Sequence, residues 1–372
     1  MKILLIQDYL RSGGTERQSV LLANAFAAAG HATILCTFRP GGALAGTVDP
    51  RVAHRALQPF DLGLDWFAPR LFRLSAAARP DVILCLGRMA NCYAGSLQRR
   101  HPGAAVVATM RTGKTLPALF RRSLGRCRHI VANSYEAREA LISDHGIRAE
   151  KIAVIYNSLV FPPDALVEGT RSSPRESLRA HYGAGAATCV MLCVAMFRPE
   201  KNQRELVEIV AGLSPDLDWH LWLAGDGPAR ASCERLAANL NLTARVRFLG
   251  FHHDPSPLYA AADLAVHASW SEALSNFLIE AQAHGLPVVA GEAQGIRECF
   301  IPGRTGWAIP RGDHAAFRAA LTARIAEPPG IRAACAAAAR TYARETFDPA
   351  RQVAAYLDLF ARLVQAVSIQ TD

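Results

Sequence analysis

The chain has 372 residues, 51% of them hydrophobic and 20% charged, a balance that excludes a disordered protein and suits two folded domains better than one core. No run approaches the roughly 20 uncharged apolar residues of a membrane span, and the short apolar run of Met1-Lys-Ile-Leu-Leu-Ile-Gln-Asp8 does not make a signal peptide, so a cytoplasmic protein is expected. The net charge of +9 lies in one half: residues 1–169 hold 21 Lys and Arg against 12 Asp and Glu, and residues 170–372 hold 20 of each, which points to an anionic ligand or surface at the N-terminal half.

In chain order, Ile3–Ile6 reads as a buried strand running through Ser12-Gly-Gly-Thr-Glu16 into a helix from Gln18 to Ala29. Strand-like runs follow at Ala32–Thr37, Val82–Leu86, Ala104–Met110, His129–Ala132 and Ile152–Ile155. The breaker-rich segment Phe161-Pro-Pro-Asp to Arg171-Ser-Ser-Pro174 marks a boundary, after which the rhythm restarts at Cys189–Ala195, Trp219–Ala224, Val246–Leu249, Leu264–His267 and Pro287–Ala290. Short apolar strands alternating with helices predict an α/β protein with two Rossmann-like domains of parallel sheet, at 1–165 and 175–345, facing a central cleft. Their ligands belong beyond the carboxyl ends of the strands. A last helix, from about residue 349 to the end, is expected to pack back on the N-terminal domain.

Several features compete for a role. Gly13-Gly14 follows the first strand and lets backbone N–H groups approach an anion, or makes a plain tight turn. Ala108-Thr-Met-Arg-Thr-Gly-Lys114-Thr115 mimics a triphosphate loop, but Pro117 interrupts the helix such a loop needs, and the next strand does not end in Asp. Leu116–Arg128 mixes Leu116, Leu119, Phe120 and Leu124 with four arginines, and reads either as a helix lying on an anionic membrane or as an ordinary surface helix. Asp216-Leu-Asp218 is a surface turn by its Pro215 context, and neither the nine scattered cysteines nor His252-His253-Asp254 forms a metal-ligand pattern, so no metal is assigned. Nucleic acid is not expected as a partner, since no aromatic residues interleave with the basic cluster.

Arg198-Pro-Glu-Lys201, after the first strand of the second domain, reads either as two cations that neutralise a leaving pyrophosphate or as an ordinary solvated helix start. Ser269-Trp-Ser-Glu-Ala-Leu-Ser-Asn-Phe-Leu-Ile-Glu280 holds Glu272 and Glu280 around a helix start, with Ser275 or Asn276 as N-cap. A helix N-terminus suits a phosphate, and an acid on each side suits a sugar nucleotide: one for sugar hydroxyls, one for ribose hydroxyls. An amphipathic helix with two solvated glutamates is the alternative.

With these pieces placed, the chain resembles the large family-four group of retaining glycosyltransferases with the GT-B fold. The likeness rests on Gly13-Gly14-Thr-Glu16, Val131-Ala-Asn-Ser134, Ile155-Tyr-Asn157, Pro199-Glu-Lys-Asn202, Ala224-Gly-Asp-Gly-Pro228, Phe248-Leu-Gly250, Glu272–Glu280, His284-Gly-Leu-Pro-Val-Val-Ala290 and Gly295-Ile-Arg-Glu298. The resemblance implies that Glu280 holds the ribose hydroxyls and Glu272 the transferred sugar. Lys201 meets the donor phosphates, with Gly13 and Gly14 nearby, and Leu274, Ser275 and Asn276 cradle pyrophosphate and sugar. It further implies front-face transfer with no metal, no cofactor beyond the nucleotide-sugar co-substrate and no protein nucleophile.

Two positions depart from the family pattern. Met196 stands where an Arg is usual, leaving Arg198 to substitute, and Arg111 stands where many members have His. A cationic Arg111 cannot act as a general base at neutral pH. With Lys114 it is instead expected to bind an acceptor phosphate. The implied activity is transfer of a hexose or N-acetylhexosamine, from a UDP-sugar by preference, to a lipid-linked or saccharide acceptor in bacterial cell-surface polysaccharide or glycolipid synthesis. The implied place is the inner face of the plasma membrane, held by the basic N-terminal domain. A GDP-mannose-dependent mannosyltransferase and a GT-B sugar-nucleotide epimerase are the alternatives.

Overall fold

The computed structural model describes residues 1–159, 161 and 173–371, so residues 162–172 of the expected boundary segment lie outside the described residues. Two compact units divide the chain: Met1–Ser158 with Pro349–Asp372, and Leu159–Asp348. The first division follows Ser158, ahead of the boundary expected at residues 165–175, and the C-terminal helix belongs to the first unit.

The first unit alternates strand and helix: β1 (Lys2–Gln7), α1 (Gly14–Ala28), β2 (Ala32–Thr37), β3 (Ala53–Ala56), α2 (Leu71–Ala78), β4 (Val82–Cys85), α3 (Arg88–Arg100), β5 (Ala105–Met110), α4 (Ala118–Arg126), β6 (His129–Ala132), α5 (Tyr135–Ser143) and β7 (Ile152–Val154). Its seven strands are all parallel, in the order β3-β2-β1-β4-β5-β6-β7. Unbroken apolar strands such as Val82-Ile-Leu-Cys85 are used on both faces. Ile83 and Cys85 enter the core under α2–α5, while Val82 and Leu84 enter the opposite core under α1. That second core also takes Tyr356, Leu359, Phe360 and Leu363 of the last helix, whose rings of Tyr356 and Phe360 meet Phe26 of α1 edge-on at 6.2 and 5.6 Å. Gln352 fixes its register by bonding Gln18, Ser158 and the Tyr156 carbonyl.

α4 corrects one reading of the 116–128 segment. Leu116, Phe120 and Leu124 are core residues, leaving Leu119 as the exposed apolar side chain of the run. The apolar side of this helix is therefore already occupied and is not available to a bilayer. Nor does a helix follow Lys114 directly, since α4 begins only after Pro117.

The second unit contains α6 (Ser173–His181), β8 (Cys189–Val194), α7 (Gln203–Ala211), β9 (Trp219–Ala224), α8 (Arg230–Asn239), β10 (Val246–Gly250), α9 (Ser256–Ala261), β11 (Leu264–His267), α10 (Asn276–Ala283), β12 (Val288–Gly291), β13 (Gly306–Ile309), α11 (His314–Ile325) and α12 (Pro329–Thr346); α13 (Pro349–Thr371) returns to the first. Its six parallel strands run β10-β9-β8-β11-β12-β13. In each sheet the strand order reverses once, between β1 and β4 and between β8 and β11, and such switch points open a crevice at the carboxyl ends of the strands.

Candidate functional site

The switch point of the second sheet brings two sequence-distant loops together. Residues 195–202 leave β8, and residues 268–275 leave its neighbour β11. Backbone and side chain join them: Trp270 N and Ser269 Oγ both donate to the Glu200 carbonyl, at 3.1 and 2.9 Å. Lys201 ends a short 3-10 turn, Pro199–Lys201, that Asn202 closes in a left-handed conformation. Across the crevice its Nζ donates to Glu272 Oε1 at 2.5 Å.

Glu272 lies in the loop, 8% exposed, and Glu280 lies one turn inside α10. Ser275 occupies the N-cap position, but its hydroxyl does not cap, and it is buried with Leu274; Asn276 is the first helical residue. The loop's course depends on Gly295, at φ +73°, where a Cβ would stand 2.0 Å from the Ala273 carbonyl oxygen and 3.2 Å from the Leu274 Cα. Only glycine allows that approach in that backbone region.

Two residues that sequence reasoning passed over fix the two acids. His267, the last residue of β11, sets Nε2 2.8 Å from the same Oε1 of Glu272 that Lys201 binds, so Nε2 carries the ring proton. Burial holds His267 below its ordinary pKa, against the pull of Glu272, and its buried Nδ1 has no hydrogen-bond partner among the described residues. Burial pushes Glu272 upward, but Lys201 and His267 outweigh it and hold the carboxyl at about 2. The second acid receives the hydroxyl of buried Tyr259, at 2.7 Å from Glu280 Oε2, and that ring stacks on His284 at 4.8 Å between centroids. The signal for His267 was a lone imidazole closing an apolar strand. Tyr259 gave no comparable signal, because its position one helix earlier reads as ordinary core.

Arg198 is partly buried, and its guanidinium makes no hydrogen bond or ion pair among the described residues. The site therefore holds one cation already paired with an acid and one cation unengaged. Among the described residues no group of three His, Cys, Asp or Glu is placed to hold a metal ion. Asp218 instead accepts a bond from Thr188 beside β9.

In the first unit, Gly13 caps α1 with φ −74°, extended backbone open to any residue, and Gly14 opens the helix. A Cβ at Gly13 would meet the Glu16 carboxylate, a flexible side-chain end. Arg111 is bound internally, to Asn157 Oδ1 and, at 2.7 Å, to the Tyr356 hydroxyl, which ties the end of β5 to α13. Lys114 stands exposed in the loop after β5. Asp8, at the switch point of this sheet, accepts from Met89 N and Ala90 N at the start of α3 at 2.9 and 2.7 Å. Burial pushes its carboxyl up to about 7 despite those donors.

Two parallel Rossmann-like units, with a cationic and acidic crevice and a helix N-terminus at the switch point of the second, define a GT-B glycosyltransferase. The sequence pattern of Glycosyltransferase Family 4 matches residues 12–159, and that of Glycosyl transferases group 1 matches residues 188–327. The chain belongs to this group 1, family 4 set of GT-B enzymes and is a glycosyltransferase. Among its relatives is the lipopolysaccharide core biosynthesis glycosyltransferase LpsE of Rhizobium meliloti, 29% identical over 85% of this chain and 87% of the relative. Anabaena HepE, solved in complex with UDP-glucose, superposes with a TM-score of 0.80 at 25% identity over 96% of this chain and 99% of its own. WaaG, a glycosyltransferase involved in lipopolysaccharide biosynthesis, shares the fold with a TM-score of 0.75 at 19% identity, over 97% of this chain and 99% of its own.

Proposed function

We propose that the chain is a retaining glycosyltransferase that transfers a hexose or N-acetylhexosamine from a UDP-sugar to a lipid-linked or saccharide acceptor, in the assembly of lipopolysaccharide core or a related surface glycan. The observation that carries this reading is the meeting of Lys201 and Glu272 across the β8/β11 switch point, beside the N-terminus of α10. Glu272 takes hydroxyls of the transferred sugar and Glu280 those of the ribose. Lys201, Arg198 and the α10 N-terminus take the pyrophosphate. The names of LpsE and WaaG support the glycan, and the UDP-glucose complex of HepE supports the donor.

In the reaction the bond from the anomeric carbon to the phosphate oxygen breaks. The acceptor hydroxyl oxygen bonds to that carbon on the same face, and its proton passes to the departing phosphate oxygen. Negative charge grows on that oxygen, so the groups that stabilise it are cations and helix N–H donors fixed before the reaction begins. These groups supply the role a divalent metal has in other transferases, and the proposed enzyme is metal-independent. We place it at the cytoplasmic face of the membrane, with Lys114 of the basic unit toward the acceptor phosphate and Arg111 joining it only by exchanging its bonds to Asn157 and Tyr356.

Calorimetry with UDP, GDP and ADP tests the donor: UDP is expected to bind tightest, and preference for GDP transfers the reading to a mannosyltransferase. Glu280→Ala, assayed at subsaturating donor, is expected to lose roughly 10–150-fold in turnover, since a hydrogen bond to a charged group contributes about 1.5–3 kcal/mol. Unchanged turnover sinks the assignment of Glu280. Product formed without an acceptor turns the reading to an epimerase.

A further inference from the structure

At the edge of the first sheet, α13 spans a hollow that the strands do not fill. β7 is the last strand in the order and is three residues long. Its amino end, the amino end of β6 and α13 together frame a cavity of about 310 Å³. That is the volume of about ten water molecules at ~30 Å³ each, and it falls at the lower end of the ~300–1,000 Å³ of small-molecule sites. Tyr356 and Phe360 of α13 pack on Phe26 of α1, while Leu359 and Leu363 of the same helix line the cavity with Ile130 and Ile152. All four aliphatic side chains are buried, so the walls are apolar and fixed.

The polar part of the lining is basic. His129, Lys151 and Arg362 border the cavity, and none of the three makes an ion pair among the described residues. Lys151 Nζ donates to the Cys127 carbonyl at 3.3 Å, and exposed Arg362 donates to the Asp358 carbonyl at 3.4 Å. Half-buried His129 makes no hydrogen bond among the described residues. Glu150, the acid of the lining, is already paired with Arg148 at 3.0 Å. The local field is positive: burial lowers the pKa of His129, and Arg128 and Lys151 lower it further.

We propose that this cavity binds a small organic anion. An aromatic or short aliphatic body lies over Ile130, Ile152, Leu359 and Leu363, and an acidic head (carboxylate, phosphate or sulfonate) lies between Lys151, Arg362 and His129. Apolar walls with a few convergent charged groups are the composition of a ligand site. Such an occupant gains twice, from apolar area removed from water and from charge-assisted hydrogen bonds to cations that have only carbonyl partners. The cavity lies at the amino ends of β6 and β7, whereas the substrate loops leave the carboxyl ends of the strands. Its occupant is therefore neither the sugar nucleotide nor the acceptor, and the site stands whatever donor the enzyme uses.

The probe is anilinonaphthalene sulfonate, an anion whose emission rises in apolar surroundings, titrated into the whole protein. Saturable binding is expected, unchanged by saturating UDP. Naphthoate is expected to displace the probe, and naphthalenemethanol, its neutral counterpart, to compete about tenfold more weakly or worse, because it cannot make the charge-assisted bonds. Lys151→Gln/Arg362→Gln is expected to weaken probe binding about tenfold or more, and Arg362→Lys, which keeps the charge, to retain most of it. Melting curves without probe establish that the variants fold, and the neutral-competitor arm needs no variant. Equal competition by naphthalenemethanol, or unchanged binding in the double variant, overturns the proposal. So does displacement by UDP, which moves the probe to the donor crevice. Displacement by phosphatidylglycerol vesicles but not by naphthoate also overturns it, and gives the basic cluster to a lipid headgroup.

Discussion

Lys201 Nζ and His267 Nε2 both donate to Oε1 of Glu272, leaving Oε2 as the carboxylate oxygen without a donor among the described residues. Two roles assigned separately, phosphate for Lys201 and sugar for Glu272, are thus held by residues that bind each other in the unliganded crevice. Under the proposed roles, donor binding exchanges partners: Lys201 turns to phosphate, and Glu272 keeps His267. The pair shields a buried carboxylate until a ligand arrives, and charged groups this buried are costly when left alone.

A double-mutant cycle reads that coupling. Lys201→Met leaves Glu272 buried with one donor, and is expected to destabilise the fold more than Lys201→Met/Glu272→Gln does, by about 1–3 kcal/mol. Urea unfolding of the two single variants, the double variant and wild type measures it. Additive effects would show that the contact is incidental.

The depressed carboxyl of Glu272 gives the stability a defined acid limb. Its folded value, about 2, lies below the ordinary 4.5, so the unfolded chain binds the proton first. The stabilisation is full above about pH 4.5 and fades as pH falls toward about 2. Unfolding midpoints recorded from pH 6 to pH 3 should therefore fall more steeply in wild type than in Glu272→Gln. Parallel curves would contradict the assigned environment.

Under the proposed function His267, bonded to Glu272, is a positioning residue. His267→Gln keeps an N–H donor near Nε2, whereas His267→Leu removes it at similar volume. The Leu variant is expected to lose roughly tenfold in kcat/KM, the value of one hydrogen bond to a charged group, with Gln restoring most of it. Equal losses in both variants at equal thermal stability would reduce His267 to packing.

Much of this site was legible before the fold was known. Glu272, Glu280, Lys201 and the helix start at Ser275–Asn276 stand where the spacing put them, because the loop-to-helix signal is local. Eleven of the strands appear as apolar runs near their observed bounds, since strands buried on both faces need no alternation. β3 and β13 escaped notice: Ala53-His-Arg-Ala is a polar edge strand, and Gly306-Trp-Ala-Ile is a short edge strand beginning on glycine. The pairing of Lys201 with Glu272, the bond from Tyr259 to Glu280 and the internal ties of Arg111 depend on which strands adjoin, and periodicity carries no record of that. The burial of Phe120 and Leu124 likewise depends on the helix they face, so composition alone made that helix look free.

Gly295 shapes the site without taking part in the chemistry. Gly295→Ala adds a Cβ 2.0 Å from the Ala273 carbonyl oxygen at φ +73°, so both sterics and backbone conformation oppose it. Strain of this type costs about 1–3 kcal/mol, and the loop that must yield is the one carrying Glu272 and Leu274. The variant should lower thermal stability modestly and weaken UDP binding by calorimetry roughly tenfold or more, because the donor cradle moves with Ala273. Gly303→Ala is the control: its φ of +72° is equally unfavourable, but a Cβ there meets nothing within 4 Å. It should lose stability without losing UDP affinity, and equal affinity loss in both variants would detach the cradle from Gly295.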